Sequence, residues 1–248
     1  MKQIGGFKYL FLLFAIAVVG IIGADTTRAV SAQTPKTSKP LKIGIIGAGN
    51  IGSTLGTFWA HAGHQVFFSS RNPDNLKPLV EKVGSQVRAG TVKEAIAFGD
   101  VVLIAVPYGS MAEISKDYAK DLDGKIIIDT GNAVLARDGE IGKQAREQGV
   151  GLTTQRLLPG ARVVRAFNTL GVGRLRADAN RPEGRIAIPM AGNDPEALKV
   201  ASMLVRDAGF EPAVLGGLDR SRLFEQTNPL YGQELSQKEM LERAKALQ

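Results

Sequence analysis

The run IGIIGAGNIGSTLG, residues 43–56, decides the fold. It begins inside a short apolar stretch, Leu41 to Ile46, and leads into an amphipathic stretch that continues to about Ala62. Between the two, Gly47, Gly49 and Gly52 form a G-x-G-x-x-G turn where a strand feeds a helix. In that setting each glycine has its own reason. Gly47 permits the tight turn, Gly49 lets backbone approach a pyrophosphate, and Gly52 lets helix and strand pack closely. The phosphates would sit on the helix N-terminus, where free N–H groups and the helix dipole favour an anion.

Downstream, the chain keeps alternating strand and helix patterns. Gln65 to Ser69 reads as a second strand, with a helical pattern from Asn75. Thr91-Val-Lys-Glu94, Ser110-Met-Ala-Glu113 and Ser236-Gln-Lys-Glu239 have capping-box spacing and should each open a helix. Val101 to Val106 and Ile126 to Asp129 are apolar and β-rich throughout, as strands buried on both faces are. Val163 to Phe167 and Arg185 to Pro189 read as later strands, and Asp194-Pro195 opens another helix with Pro at its first position. The expected fold class is α/β: a Rossmann-type, doubly wound, mainly parallel sheet over residues 41–235, followed by a C-terminal helix over 236–248.

Composition narrows the chemistry. The 248 residues include no Cys, two His and 29 Gly, with a net charge of +7. Disulfides, zinc–thiolate sites and Cys nucleophiles are excluded. His61 and His64 offer little for a metal or a Ser-His-Asp triad, and a position near a helix C-terminus accounts for them; no metal site is expected. Trp59, on the same helix, reads as core. The chemistry should therefore belong to a borrowed cofactor.

The N-terminus reads as a leader. Lys2 and Lys8 precede an uncharged run, residues 9–23, and Val30-Ser31-Ala32 offers a small-residue cleavage site. Residues 1–32 are a Sec-type signal peptide or an uncleaved membrane anchor, and residues 33–40 a flexible linker. The expectation is export to the periplasm. The alternative is membrane association through residues 9–23 with the domain facing the cytoplasm, which Lys36 and Lys39 would favour and Lys2 and Lys8 oppose.

The tip of the second strand selects the nucleotide. An NAD site places Asp or Glu there to hold the ribose hydroxyls. Here the tip is Ser69-Ser70-Arg71-Asn72, without an acid. Ser70 can donate to a 2′-phosphate, and Arg71 can pair with it and stack on the adenine, so NADP(H) is expected. Asp74, beyond Pro73, reads as a cap of the next helix.

Other positions stay open on the residues alone. Val106-Pro107 is a strand stop or part of the ligand edge. Asn168 binds a carboxamide or caps a turn, and Asp129-Thr130-Gly131-Asn132 reads as an Asx turn. Tyr108 and Lys125 are the candidate proton donors for a carbonyl or imine reductase, but neither has supporting spacing. Arg162, Arg165, Arg174, Arg176, Arg181 and Arg185 form either an acceptor-facing basic patch or a solvated surface. Nothing points to nucleic acid.

Taken together, GAGNIG (47–52), SSRN (69–72), AVPY (105–108), RAFNT (165–169) and GGLDRSRLFEQTNPL (216–230) resemble the F420-dependent NADP oxidoreductase family, in its order, from about Leu41 to Leu230. The same domain resembles the reductase domain of the STEAP metalloreductases. The resemblance implies a Rossmann domain with a small C-terminal α/β extension, passing hydride between NADPH and a deazaflavin (F420) or a flavin such as FMN. It implies that Ala48, Gly49, Asn50 and Ile51 wrap the pyrophosphate, and that Ser70, Arg71 and Asn72 hold the 2′-phosphate end. Ala105, Val106 and Pro107 should lie along the ribose and nicotinamide. Asn168 and Thr169 should approach the nicotinamide and second substrate, as positioning groups with no acid–base role. The basic patch would suit the polyglutamate tail of F420. A small-molecule acceptor is the expected partner, and a homodimer is compatible with the family, although the last helix is short for its C-terminal dimer contact. The rival readings are a non-catalytic NADP(H)-sensing module and an NADPH-dependent ferric or quinone reductase.

Overall fold

The computed structural model describes residues 39–247, so the leader and most of the linker lie outside the described residues. The described residues build one eight-stranded sheet. Its amino-terminal half comprises β1 (Lys42–Ile46), α1 (Asn50–His61), β2 (Gln65–Ser69), α2 (Lys77–Val83), β3 (Val87–Gly90), α3 (Val92–Phe98), β4 (Val101–Ile104), α4 (Met111–Tyr118) and β5 (Ile126–Asp129). Then come α5 (Leu135–Gln148), α6 (Val150–Leu157), β6 (Arg162–Arg165), α7 (Val172–Asp178), β7 (Ala187–Gly192), α8 (Pro195–Asp207), β8 (Glu211–Gly216) and α9 (Gln237–Ala246). Strand order is β3-β2-β1-β4-β5-β6-β7-β8. All neighbours are parallel except β6 and β7, so the parallel sheet turns into a small C-terminal extension at that junction.

Period-two burial assigns the two faces. Ile43 and Ile45 of β1 join Trp59, Phe68, Leu103 and Ile128 in one core. Ile46, Val102, Ile104, Ile127 and Val163 join Tyr108 and Leu218 in a second core across the sheet. Both faces are covered, as the apolar strands require. Trp59 is wholly buried and its indole N–H donates to Leu204 O at 2.8 Å, tying α1 to α8. Ala187, Ala213, Phe224, Leu230 and Met240 form a third, smaller core under α9.

Several local expectations are corrected. Thr91 and Ser236 do close capping boxes, whereas Ser110 does not. Ser110 has helical φ/ψ, because a 3₁₀ turn from Tyr108 runs straight into α4. The helix expected from Asn75 begins as a 3₁₀ turn at Pro73, and Asp74 caps nothing; it pairs with exposed Lys77. The strand expected at Arg185–Pro189 is shifted to Ala187–Gly192 and runs antiparallel to β6. β3, α5 to α7 and β8 carry too weak a pattern to be anticipated. β8 holds Pro212, which fits an edge strand, and α5 is broken at Gly139, where φ is +58°.

Candidate functional site

The strand tips are laced together along one edge of the sheet. Ala48 N donates to Ser69 O (3.0 Å) and Ala105 N to Ile46 O (2.9 Å). Thr130 N donates to Ile104 O (3.2 Å), Ala166 N to Asp129 O (3.3 Å), and Asn132 Nδ2 to Asn168 O (2.8 Å). The glycine loop, the Ser69–Asn72 tip, Ala105–Pro107, Asp129–Asn132 and Asn168–Thr169 therefore stand in one row at the carboxyl ends of β2, β1, β4, β5 and β6. The switch point is between β1 and β4, where connections leave to opposite sides, and such folds bind ligands there.

The three glycines divide their work as their spacing requires. Gly47 has φ +94°, and a Cβ there would lie 2.6 Å from Val106 Cγ1. A Cβ on Gly52 would sit 2.1 Å from Gly47 O, so the helix could not approach the strand. Gly49 meets nothing within 4 Å; it is the N-cap of α1, with no side-chain cap and no acid in the first turn. The open helix N-terminus thus presents unopposed N–H groups and a partial positive charge to open space, with Asn50 exposed and Ile51 half-buried.

At the β2 tip, Ser70 forms a local turn: its hydroxyl donates to Asn72 O (2.6 Å) and accepts from Asn72 N (3.0 Å). Its one hydrogen must swing away to reach a phosphate. Arg71 is exposed and has no hydrogen-bond or ion-pair partner among the described residues.

At the far end of the row, Phe167 takes a left-handed φ of +61°, an uncommon state for a bulky side chain. Edge-on contacts with Trp59 (6.1 Å) and Phe210 (6.4 Å) hold it there. Asn168 is buried, and its Nδ2 donates to Phe224 O at 2.9 Å while Oδ1 has no partner. Thr169 is buried beside it.

Beneath the row lies a charged network that sequence reasoning missed. Asp129 Oδ1 accepts from Gly131 N (2.8 Å), the expected Asx turn, and pairs with Arg165 Nη1 (3.1 Å), both side chains fully buried. Thr154 Oγ1 donates to Asp129 Oδ2 (2.7 Å) and lies 3.1 Å from the Tyr108 hydroxyl. Burial, then the Asp129 carboxylate, pushes the Tyr108 phenol far above its usual range. Tyr108 is thus a neutral core group. Lys125 Nζ donates to Gly99 O, at the opposite edge of the sheet. The Tyr108 hydroxyl is thus turned into the core beneath the row, and Lys125 lies at the far edge from it.

Of the two readings of the arginines between Arg162 and Arg185, the structure does not assemble the acceptor-facing patch. Arg162 pairs with Asp194, Arg165 with Asp129, and Arg174 with Asp178 and Glu234. Arg176 donates to Thr54, Arg181 to Gly184 O, and Arg185 to Arg206 O and Asn180. His64 is likewise structural rather than a surface dipole partner. It is buried, accepts from Leu41 N at Nδ1 (3.1 Å) and lies 3.0 Å from Asp207 through Nε2.

A cavity of about 350 Å³ adjoins the Asn132–Asn168 end, lined by Ala133, Val134 and Leu135 on one side and Gln226, Thr227 and Tyr231 on the other, with Arg146 also contributing. No sequence signal joined these residues. Among the described residues, no helix is long and apolar enough to cross a membrane.

Comparison with known proteins agrees with this geometry. Residues 42–133 match the family model described as NADP oxidoreductase coenzyme F420-dependent. The chain is 29% identical to the metalloreductase STEAP3 of Rattus norvegicus over 200 residues, 78% of this chain and 37% of that one. It is 31% identical to the F420-dependent NADP reductase of Methanocaldococcus jannaschii over 144 residues, 56% of this chain and 63% of that protein. It therefore spans under two thirds of either relative. A solved hypothetical protein of Sinorhizobium meliloti is 32% identical, with a TM-score of 0.65, and the match covers 79% of this chain and 95% of that one. The glycine turn, the acid-free β2 tip and these likenesses agree: over residues 42–133 the chain resembles the coenzyme F420-dependent NADP oxidoreductase family.

Proposed function

We propose that this protein is an NADPH-dependent oxidoreductase that passes hydride to a deazaflavin or flavin-type acceptor. The observation that carries the reading is the row itself: an open, uncapped helix N-terminus at Gly49, flanked by unpaired Arg71 at one end and by Asn168 at the other. The residues fit the cofactor. Gly47 to Gly52 would hold the pyrophosphate on backbone N–H groups. Ser70, Arg71 and Asn72 would meet the 2′-phosphate, Arg71 through a charge-assisted pair. Ala105, Val106 and Pro107 would flank the ribose and nicotinamide, and the Asn168 amide would fix the carboxamide end. Bound there, NADPH supplies the hydride.

What the protein contributes is position. Direct hydride transfer needs donor and acceptor held at contact distance, with water excluded and no proton donor required at the reacting carbon. The Tyr108 hydroxyl is buried in the core network beneath the row and Lys125 lies at the opposite edge of the sheet; this favours direct transfer over carbonyl or imine reduction, which wants a placed acid. The proposed test is oxidation of NADPH or NADH by the purified full chain, offered coenzyme F420, FMN, a quinone or a ferric chelate. The reading expects NADPH oxidation with F420 or FMN far above that with NADH. Tight NADPH binding without turnover on any acceptor would replace it with a sensing module, and preference for the ferric chelate or quinone would change the acceptor class.

A further inference from the structure

The cavity beside the row has two walls, and each is tied to one of the two asparagines. On one side, Ala133 follows Asn132 directly. That wall is fixed by Asp138 Oδ2, which accepts from Val134 N (2.7 Å), and by Arg137 Nη2, which donates to Asn132 O (2.9 Å). On the other side, Gln226 lies two residues beyond Phe224, whose carbonyl accepts from Asn168. The cavity therefore opens where the row ends.

Its lining is mostly apolar, with exposed Leu135 and half-buried Val134 facing a wall that includes Tyr231. The volume of about 350 Å³ lies at the small end of the ~300–1,000 Å³ typical of small-molecule sites. Arg146 is the only charged side chain in the lining. Its Nη1 donates to Gln226 O (3.1 Å) and its Nη2 to Thr227 Oγ1 (3.3 Å), both neutral acceptors. No carboxylate pairs with Arg146 among the described residues, and three of its five N–H groups remain for a ligand. Arg137, Arg162, Arg165 and Arg174, by contrast, each have a carboxylate partner. Thr227, which helps hold Arg146, adopts φ +72°, an outlier for a β-branched residue of the kind found at ligand clamps.

We infer that this cavity receives the second substrate as a planar aromatic molecule bearing an anionic group, and that Arg146 and Tyr231 are its specificity-determining residues. The inference rests on the hydride-transfer reading above and adds to it which residues choose the acceptor. Val134, Leu135 and Tyr231 supply an open, mostly apolar face for a flat ring, and Arg146 meets the anion.

FMN and riboflavin test this cleanly, because they share one ring system and differ by a phosphate. Quenching of flavin fluorescence by the full chain, saturated with NADP⁺, reads binding without turnover. The wild type should bind FMN about tenfold or more tighter than riboflavin, as a charge-assisted hydrogen bond implies. Arg146→Gln should erase that difference while leaving riboflavin and NADPH affinities unchanged, and Arg146→Lys should retain most of it. Tyr231→Ala should weaken both flavins alike. Thermal melting would verify that each variant folds. Equal binding of the two flavins by the wild type would overturn the inference, as would binding of neither or a parallel loss of both in Arg146→Gln. Failure of NADPH oxidation on every acceptor removes the hydride-transfer reading instead, and the binding ratio is measured independently of it.

Discussion

Two glycines three residues apart should fail in different ways when each gains one methyl group. At Gly52 the new Cβ would lie 2.1 Å from Gly47 O and 3.0 Å from Ile45 Cγ2. The first contact is with backbone, which no rotamer change relieves, so α1 must lift from β1. Overpacking of this kind costs about 1–3 kcal/mol, and in a domain of this size each kcal/mol lowers Tm by roughly 2–4 °C. At Gly49 the Cβ meets nothing within 4 Å, and φ of −73° suits any residue. Gly49→Ala should therefore leave stability within about 0.5 kcal/mol of wild type. Its methyl would occupy the space in front of the α1 N-terminus, where the pyrophosphate must come closest. NADPH affinity should fall about tenfold or more, equivalent to about 1.4 kcal/mol. Thermal melts and fluorescence titration with NADPH separate the two effects. If Gly49→Ala melts as early as Gly52→Ala, or binds NADPH like the wild type, the assignment of the cradle is wrong.

Three further outcomes follow from the same geometry. Ser70→Ala combined with Arg71→Leu should weaken NADPH by about ten- to a hundredfold and NADH hardly at all, since only the 2′-phosphate loses a charged partner; equal losses by titration would sink the NADP preference. Arg165→Met should cost about 3–5 kcal/mol in urea unfolding by leaving Asp129 buried and uncompensated, and adding Asp129→Leu should recover much of it; additive losses would contradict the pairing. Asp194 is held down to about 2, first by the Arg162 guanidinium and then by the Ala197 N–H at the start of α8. A depressed carboxyl stabilises the fold above its usual range and loses that contribution as pH falls toward 2. Asp194→Asn should therefore flatten the acid limb of the stability curve below about pH 4, and an unchanged limb would deny the coupling.

What could be read from the chain, and what could not, divides by range. The glycine turn and the β2 tip are local: a handful of adjacent residues fix both the backbone and the chemistry, and the structure places them side by side. Pairing is not local. The six arginines between Arg162 and Arg185 could not be divided between a basic patch and a solvated surface because Asp129, Asp194 and Glu234, which pair with three of them, lie 32 to 60 positions away. Arg146 and Thr227 are 81 positions apart, so the cavity they share has no spacing signature. α5 and α6 escaped because Gly139 and Gly149 adopt positive φ and break the apolar period between them. His64 looked like a helix-end residue for the same reason, its partner Asp207 being distant in the chain. The leader, with its implications for export, lies outside the described residues; sequencing the N-terminus of the protein isolated from fractionated cells would test it, and a full-length cytosolic product would refute it.

The most direct test of the central claim follows the hydride itself. NADPH carrying deuterium on the transferring face of nicotinamide C4 would be oxidised by the full chain with coenzyme F420, and the reduced deazaflavin examined by mass spectrometry. Direct transfer across the row places the deuterium on the deazaflavin ring carbon, with NADH giving little product. Reduction that leaves the ring unlabelled with either face of nicotinamide C4 deuterated, or proceeds equally with NADH, would contradict the account.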